Sequence, residues 1–240
     1  MRSWWIPPAG RWMRWWRWFV KLSGTGIRKQ RRPVMGKYFD FAAENIAKPL
    51  FSIYYQIFHR CTWYGLDNIP CGGAILCANH ISNLDGPLVS CRIRGRMVRW
   101  VAKEELYHHR IMAWCMRNLG AVRVDRSKAD IRPVRDLLAL LRKDELVGIF
   151  PEGTRMKNRA RHSVQVNSSP VMLSARTGKP VVPVAICGRY RLFGKMQLKV
   201  GPPEFYQNDS RNKPGPEEQE ARMRQLMGKI YRVVDGGEWN

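Results

Sequence analysis

Acidic residues are scarce in this 240-residue chain. Lys and Arg outnumber Asp and Glu by 42 to 19, the formal net charge is +23, and nothing acidic precedes Asp40. Such an imbalance says little about fold but points to an anionic partner: nucleic acid, a membrane surface, or an acidic protein or substrate. Long hydrophobic runs are also missing. No stretch reaches the roughly 18 apolar residues that a spanning helix needs, and arginines repeatedly interrupt the N-terminal segment, which therefore lacks the apolar core of a secretory signal. The six cysteines, at 61, 71, 77, 91, 115 and 187, form no CxxC pair and no zinc-ligand spacing. Buried, reduced thiols in a cytoplasmic setting are expected rather than a disulfide framework. There is no internal repeat and no metal motif of the HExxH kind. The hydrophobic fraction of 45% suffices for one large domain, alone or with an appendage.

Tryptophan, by contrast, is concentrated. Six of the ten lie before residue 19, among Arg2, Arg11, Arg14 and Arg17. In GRWMRWWRWFVKL (10–22), Trp12, Trp15, Trp16 and Phe19 recur at helical spacing, with Arg11, Arg14, Arg17 and Lys21 opposite. A basic, tryptophan-rich amphipathic helix suits a bilayer interface, where indole sits at headgroup level and cations meet anionic lipid. Membrane association ranks first for this arm, packing on the domain second, and RNA binding through arginine and stacked aromatics third. Glycines and the cluster RKQRRP then mark a linker, so residues 1–35 form the arm and 36–240 the main domain. A second helical stretch, 38–60, carries an apolar stripe through Ile46, Leu50, Ile53, Tyr54 and Ile57, which Pro49 should kink or restart. Periodicity does not decide whether that stripe covers the domain or meets a membrane.

AILCA (74–78) reads as a buried strand. After it come His80 and, five positions later, Asp85, where N-cap residues Ser82 and Asn83 introduce a helix. In a continuous helix the two side chains would point about 140° apart; a strand-to-helix bend lets them meet. An aspartate on one imidazole nitrogen fixes the tautomer and leaves the other nitrogen to accept a proton. Alone the pair is weak, because five histidines allow it by chance.

Further along, 129–144 has the period of an amphipathic helix, and LVGIF (146–150) reads as a buried strand that Pro151 ends. Gly153 permits unusual dihedrals, Thr154 offers a hydroxyl, and Arg155 a fork suited to phosphate. The plainer alternative is a turn in which Glu152 and Arg155 pair with each other. If the strands are parallel, this turn lies at the same sheet end as His80, where ligands gather in open α/β sheets.

His80-x4-Asp85, GAVRVDR (120–126), FPEGTR (150–155) and VVPVAI (181–186), in that order, resemble the four blocks of the glycerolipid acyltransferases, the family of bacterial 1-acyl-sn-glycerol-3-phosphate acyltransferase; the resemblance extends over residues 60–202. It implies an α/β fold, a mostly parallel sheet flanked by helices; the N-terminal arm, outside the span of the resemblance, is read as a membrane-binding appendage from its own amphipathic pattern. It also implies O-acyl transfer from acyl-CoA or acyl carrier protein to a lysophospholipid, foremost 1-acylglycerol 3-phosphate, giving phosphatidic acid. His80 would be the general base and Asp85 its orienting partner. Glu152, Gly153, Thr154 and Arg155 would shape the acceptor site, with Arg155 and Arg126 on the phosphate and Pro183 structural or lining the acyl groove. Neither a cofactor nor a metal is implied; the acyl thioester is a co-substrate, and the expected location is the cytoplasmic membrane face. Alternative acceptors are glycerol 3-phosphate and a lyso-ornithine lipid. A different class of alternative is a non-enzymatic membrane- or RNA-binding protein on a degenerate acyltransferase domain.

The chain departs from the family pattern at two places. Arg123 stands where members often carry an aromatic or aliphatic residue, adding charge near the presumed site. A Lys-x-Gly common in members is replaced by Asn167-Ser168-Ser169-Pro170, which starts a helix with Ser as cap and Pro170 at its first turn, ended by Gly178. His108, His109 and His162 are expected to be structural or surface residues. The C-terminal helix should bury Met223, Leu226, Met227, Ile230 and Val234.

Overall fold

The computed structural model describes residues 35–125, 130–155, 166–206 and 215–239. The tryptophan-rich arm therefore lies outside the described residues, as do Arg126, His162 and most of the loop after Arg155.

Seven strands form one sheet in the order β1-β7-β6-β2-β5-β3-β4. They are β1 (Thr62–Tyr64), β2 (Ala74–Ala78), β3 (Val98–Lys103), β4 (Val122–Val124), β5 (Leu146–Ile149), β6 (Val181–Gly188) and β7 (Met196–Val200). Every pairing is parallel except β6 with β7, which run antiparallel. The central strands are buried on both faces, so they read as continuous apolar runs rather than alternations. Within β2, Ile75 and Cys77 join one core while Ala74, Leu76 and Ala78 join the other, as a period of two requires.

The first core is closed by α5 (Arg132–Arg142), α6 (Ser169–Thr177) and the long α7 (Pro216–Val234). On α7 the buried residues are Gln219, Met223, Leu226, Met227, Ile230, Tyr231 and Val233. The expected Val234 is only partly buried, because 3.6-residue periodicity turns Val233 inward by the last turn. The α6 cap also differs from expectation: Ser168 makes no side-chain cap bond, and Asn167 Oδ1 accepts from the Ser169 N–H at 2.8 Å instead. Gly178 ends the helix in the left-handed region as expected.

The opposite core lies under α2 (Lys48–His59) and the short α3 (Asp85–Ser90). Before α2 come α1 (Met35–Ala42) and a π-helical turn, Ala43–Ala47; Pro49 sits in the first turn of the restarted helix. The buried side of this rod is not its apolar side. Ala43, Lys48, Ser52, Tyr55 and His59 face inward, while Ile46, Leu50, Ile53 and Ile57 are each more than half exposed. Lys48 is satisfied by the Ile93 and Arg96 carbonyls, at 2.5 and 2.7 Å, and by Glu44. Asp40 on α1 holds buried Arg99 of β3 through two 2.9 Å bonds. Burial opposes the Arg99 charge, but Asp40 and Glu145 outweigh it and raise its pKa. Polar clamps on the inner side thus present the apolar stripe outward. No helix among the described residues is long and apolar enough to cross a membrane.

All six cysteines are free. Cys61, Cys77, Cys91 and Cys187 are buried as expected, but Cys71, in the bend before β2, is exposed, and Cys115 is half-buried on α4 (Arg110–Asn118), whose buried residue is Ala113. Burial pushes the Cys61 and Cys91 thiols up to about 12.

Candidate active site

The parallel register of β2 and β5 sets Cys77 beside Ile149, so both chains leave the sheet at the same end. Beyond that edge β2 leads to His80 and β5 to Glu152. Asn79 makes the transition possible. Its buried amide donates to the Ile186 carbonyl at 3.1 Å and accepts from the Ile186 N–H at 2.8 Å, so a side chain continues the ladder where the backbone turns away.

The bend between His80 and Asp85 is built by the aspartate itself. Asp85 Oδ2 accepts from the backbone N–H groups of Ile81 and Ser82, at 2.7 and 2.8 Å, and from His80 Nδ1 at 2.8 Å. Asp85 Oδ1 accepts from the Tyr190 hydroxyl at 2.8 Å. The aspartate side chain is wholly buried and that of His80 is 18% exposed. A carboxylate facing Nδ1 places the imidazole proton there and leaves the Nε2 lone pair available. Tyr55 braces the same loop by donating to the Leu84 carbonyl at 2.8 Å. Burial pushes the Tyr190 phenol far above its ordinary value, helped by the adjacent Asp85 charge, so it remains a donor at any working pH.

The His80 ring is held on its flat side as well. It stacks on Phe150 with centroids 4.2 Å apart, and Phe150 stacks on Trp100 at 4.6 Å. Gly148 makes room for the indole, since a Cβ there would fall inside it, and Trp100 Nε1 donates to Ser90 Oγ at 2.9 Å.

FPEGTR occupies the turn after β5. Gly153 has φ of 64°, the left-handed conformation its side-chain-free backbone tolerates. Thr154 and Arg155 are exposed. Glu152 is buried and does not pair with Arg155: Oε1 accepts from Tyr231 at 2.6 Å, and Oε2 from the His80 backbone N–H at 3.2 Å. Burial pushes its carboxyl above the usual carboxylate range, against the bonds from Tyr231 and His80, which favour the charged form. Glu152 is thereby a strut between α7 and the His80 backbone. Cys77, shortly before His80, is no nucleophile, because complete burial pushes its thiol up.

The sequence pattern expected His80, Asp85 and the FPEGTR turn at one sheet end, and the structure gathers them there. It did not find Asn79, Trp100, Tyr190 or Tyr231; only Asn79, adjacent to His80, carried a local signal. The charge of Arg123 is paired: it forks onto Glu104 and lies 5.6 Å over the Tyr107 ring. His108 and His109 are exposed.

Residues 60–187, over half the chain, match the family model described as Acyltransferase. A curated relative, the 1-acyl-sn-glycerol-3-phosphate acyltransferase of Bacillus subtilis, is 28% identical over 176 residues, covering 71% of this chain and 86% of that protein. The chloroplastic 1-acyl-sn-glycerol-3-phosphate acyltransferase LPAT1 of Arabidopsis thaliana is 30% identical over 147 residues, 60% of this chain and 40% of its own length. The crystal structure of the LPA acyltransferase PlsC from Thermotoga maritima superposes with a TM-score of 0.63 at 24% identity, covering 89% of this chain and all of that one. That likeness concerns the fold.

Proposed function

Because this chain belongs to the acyltransferase family, we propose that it moves a fatty acyl group from an acyl thioester to the free hydroxyl of 1-acylglycerol 3-phosphate, forming phosphatidic acid. The observation that carries this proposal is the 2.8 Å bond from His80 Nδ1 to a buried, fully hydrogen-bonded Asp85. In the reaction Nε2 of His80 takes the hydroxyl proton as the oxygen attacks the thioester carbonyl. An ester C–O bond forms, the C–S bond breaks, and the proton passes from the imidazolium to the departing sulfur. Asp85 stabilises the imidazolium formed in between, and the Phe150 face beneath the ring favours that cation. No acyl-enzyme is required.

Arg155, exposed beyond β5 at the His80 end of the sheet, is suited to grip the acceptor phosphate. Thr154 and Gly153 complete the acceptor side, and Arg126, outside the described residues, is assigned the same phosphate by family resemblance. Glu152 acts on the acceptor indirectly, by holding the His80 backbone. The donor is acyl-CoA or acyl carrier protein. The names of its relatives favour the lysophosphatidic acceptor over glycerol 3-phosphate or a lyso-ornithine lipid. The protein works at the cytoplasmic face of an anionic membrane, a placement supported by the outward apolar stripe of α2 and by the basic composition.

The test is product analysis by mass spectrometry, with both thioesters and all three acceptors, on the wild type and on His80→Ala and Asp85→Asn. Phosphatidic acid should form in the wild type and fall by about 10²–10⁴-fold in His80→Ala. Unchanged turnover in that variant would overturn the mechanism, and a different acylated product would overturn the acceptor.

A further inference from the structure

The turn joining β6 to β7, RYRLFGK (189–195), is used by the proposed chemistry only through Tyr190, its one inward-facing side chain. The rest of the turn points outward. Leu192 is 68% and Phe193 59% exposed, and Arg189, Arg191 and Lys195 are exposed around them. Apolar side chains at a loop tip ordinarily signal mobility or poor packing, but this tip is held firmly. The Phe193 N–H donates to the Phe58 carbonyl at 2.6 Å, and the Arg191 carbonyl meets His59 Nδ1 at 3.0 Å. Gly194 closes the turn onto the Arg191 carbonyl at 2.9 Å.

The backbone here is also unusual. Among the described residues, Arg60, Asp144 and Phe193 are the non-glycine residues with positive φ; Phe193 bonds to Phe58, two residues before Arg60, and their φ values are 56° for Phe193 and 42° for Arg60. A bulky aromatic residue in that region is held against its own preference, and such strain is a pointer to function. The conformation keeps the phenyl ring outside, beside Phe58 at 6.4 Å, the chain neighbour of the exposed Ile57. Leu192 and Phe193 therefore extend the apolar stripe of α2 onto the body of the domain. Charge decides what can cover this surface. Neither 48–66 nor 188–200 contains an acidic residue, whereas Arg60, Arg189, Arg191 and Lys195 surround the two apolar side chains.

We propose that the β6–β7 turn is a second lipid-docking element, distinct from the N-terminal arm, in which Leu192 and Phe193 enter the headgroup layer of an anionic bilayer while its four surrounding cations meet lipid phosphates. This rests on the membrane placement proposed above. Tyr190 sits within the same turn, so docking would hold the Asp85 partner in register at the surface from which a lysolipid arrives.

The experiment is sedimentation of the full-length protein with vesicles of phosphatidylcholine alone and of phosphatidylcholine with an equal part of phosphatidylglycerol. Leu192→Ser with Phe193→Asn is compared with Leu50→Glu with Ile53→Glu on α2, and circular dichroism melts monitor folding; asparagine tolerates the positive φ at 193. The turn variant is expected to melt like the wild type and to lose at least about tenfold in partition onto the anionic vesicles. If the wild type binds, the α2 variant is impaired and the turn variant binds as well as wild type, the docking role of the turn is overturned while the membrane placement stands. If the wild type ignores anionic vesicles, or binds RNA in their place, both fall.

Discussion

Tyr190 donates its hydroxyl to Asp85 Oδ1 across 105 residues of chain, at 2.8 Å. It saturates a carboxylate whose other oxygen already accepts from two backbone amides and His80. Tyr190→Phe keeps the ring against His59, 5.4 Å away, and removes only the donor. A buried carboxylate oxygen left without its partner costs about 1–3 kcal/mol, so the melting temperature should drop. With the aspartate less firmly held, kcat should fall by about tenfold while KM for the thioester changes little. Equal kcat and melting temperature in variant and wild type would show that the phenol does not position Asp85.

Glu152 yields a prediction with a definite sign. Its native carboxyl titrates above an unfolded value of about 4.3, so between those two values the native state binds more protons than the unfolded one. Stability therefore falls as pH rises through that window and is level above it. Glu152→Gln removes this slope. Urea midpoints of wild type minus variant, taken from about pH 4 to about pH 8, should decline with pH; a flat or rising difference would contradict the buried state of this carboxyl. Activity should fall in the variant at every pH, because an amide cannot accept from both Tyr231 and the His80 backbone with the same two atoms.

Gly148→Ala tests the aromatic column. The added methyl collides with the Trp100 indole, whose displacement carries Phe150 and then His80 with it. Overpacking of this kind costs about 1–3 kcal/mol, and turnover should drop beyond what the loss of folded protein explains. Gly228→Ala is the counterpart: on α7, with open space around the new methyl, it should stabilise by about 0.5–1 kcal/mol. Thermal melts with parallel assays of both variants check the pair, and a harmless Gly148→Ala would remove the column from the account of His80.

The outward stripe of α2 can be examined without lipid. Leu50→Glu and Ile57→Glu should each alter stability by no more than about 0.5 kcal/mol, because both side chains are already in solvent. Tyr55→Ala, at the wholly buried position on the same helix, should cost about 3–5 kcal/mol. Denaturation curves for the three decide the matter, and a large loss from Leu50→Glu would mean that this face is covered.

Much of the site was legible because its signals are local. A short apolar run ending before His80 and a strand stopped by Pro151 are events of a few residues each, and the structure has β2 and β5 where those signals stand. The helix α3 does begin at Asp85, but Ser82 and Asn83 do not cap it: its N-cap is Leu84 without a side-chain bond, and Ser82 Oγ accepts from the Leu84 N–H at 3.2 Å instead. The stripe on α2 was equally legible as a stripe. Its direction was not, since periodicity reports that apolar residues share a face and leaves open what that face meets. Lys48 and His59 are poor candidates for an interior until the carbonyls of Ile93, Arg96 and Arg191 are seen to receive them. The partner of Arg123, Glu104, likewise became visible only in the fold.

By itself, then, the order of residues determined the strands β2 and β5, the bend that joins His80 to Asp85, and the turn that follows β5, each through backbone preferences acting within a few residues, while the parallel frame was legible only through the family resemblance. Tertiary structure alone decided what makes the pair rigid: Tyr190 on Asp85, Tyr231 on Glu152, and Trp100 behind Phe150. It also decided that the apolar side of α2 faces out. The physical reason is separation. A hydrogen bond or ring contact between distant residues depends on where folding brings their elements together, and no pattern within either segment records the other.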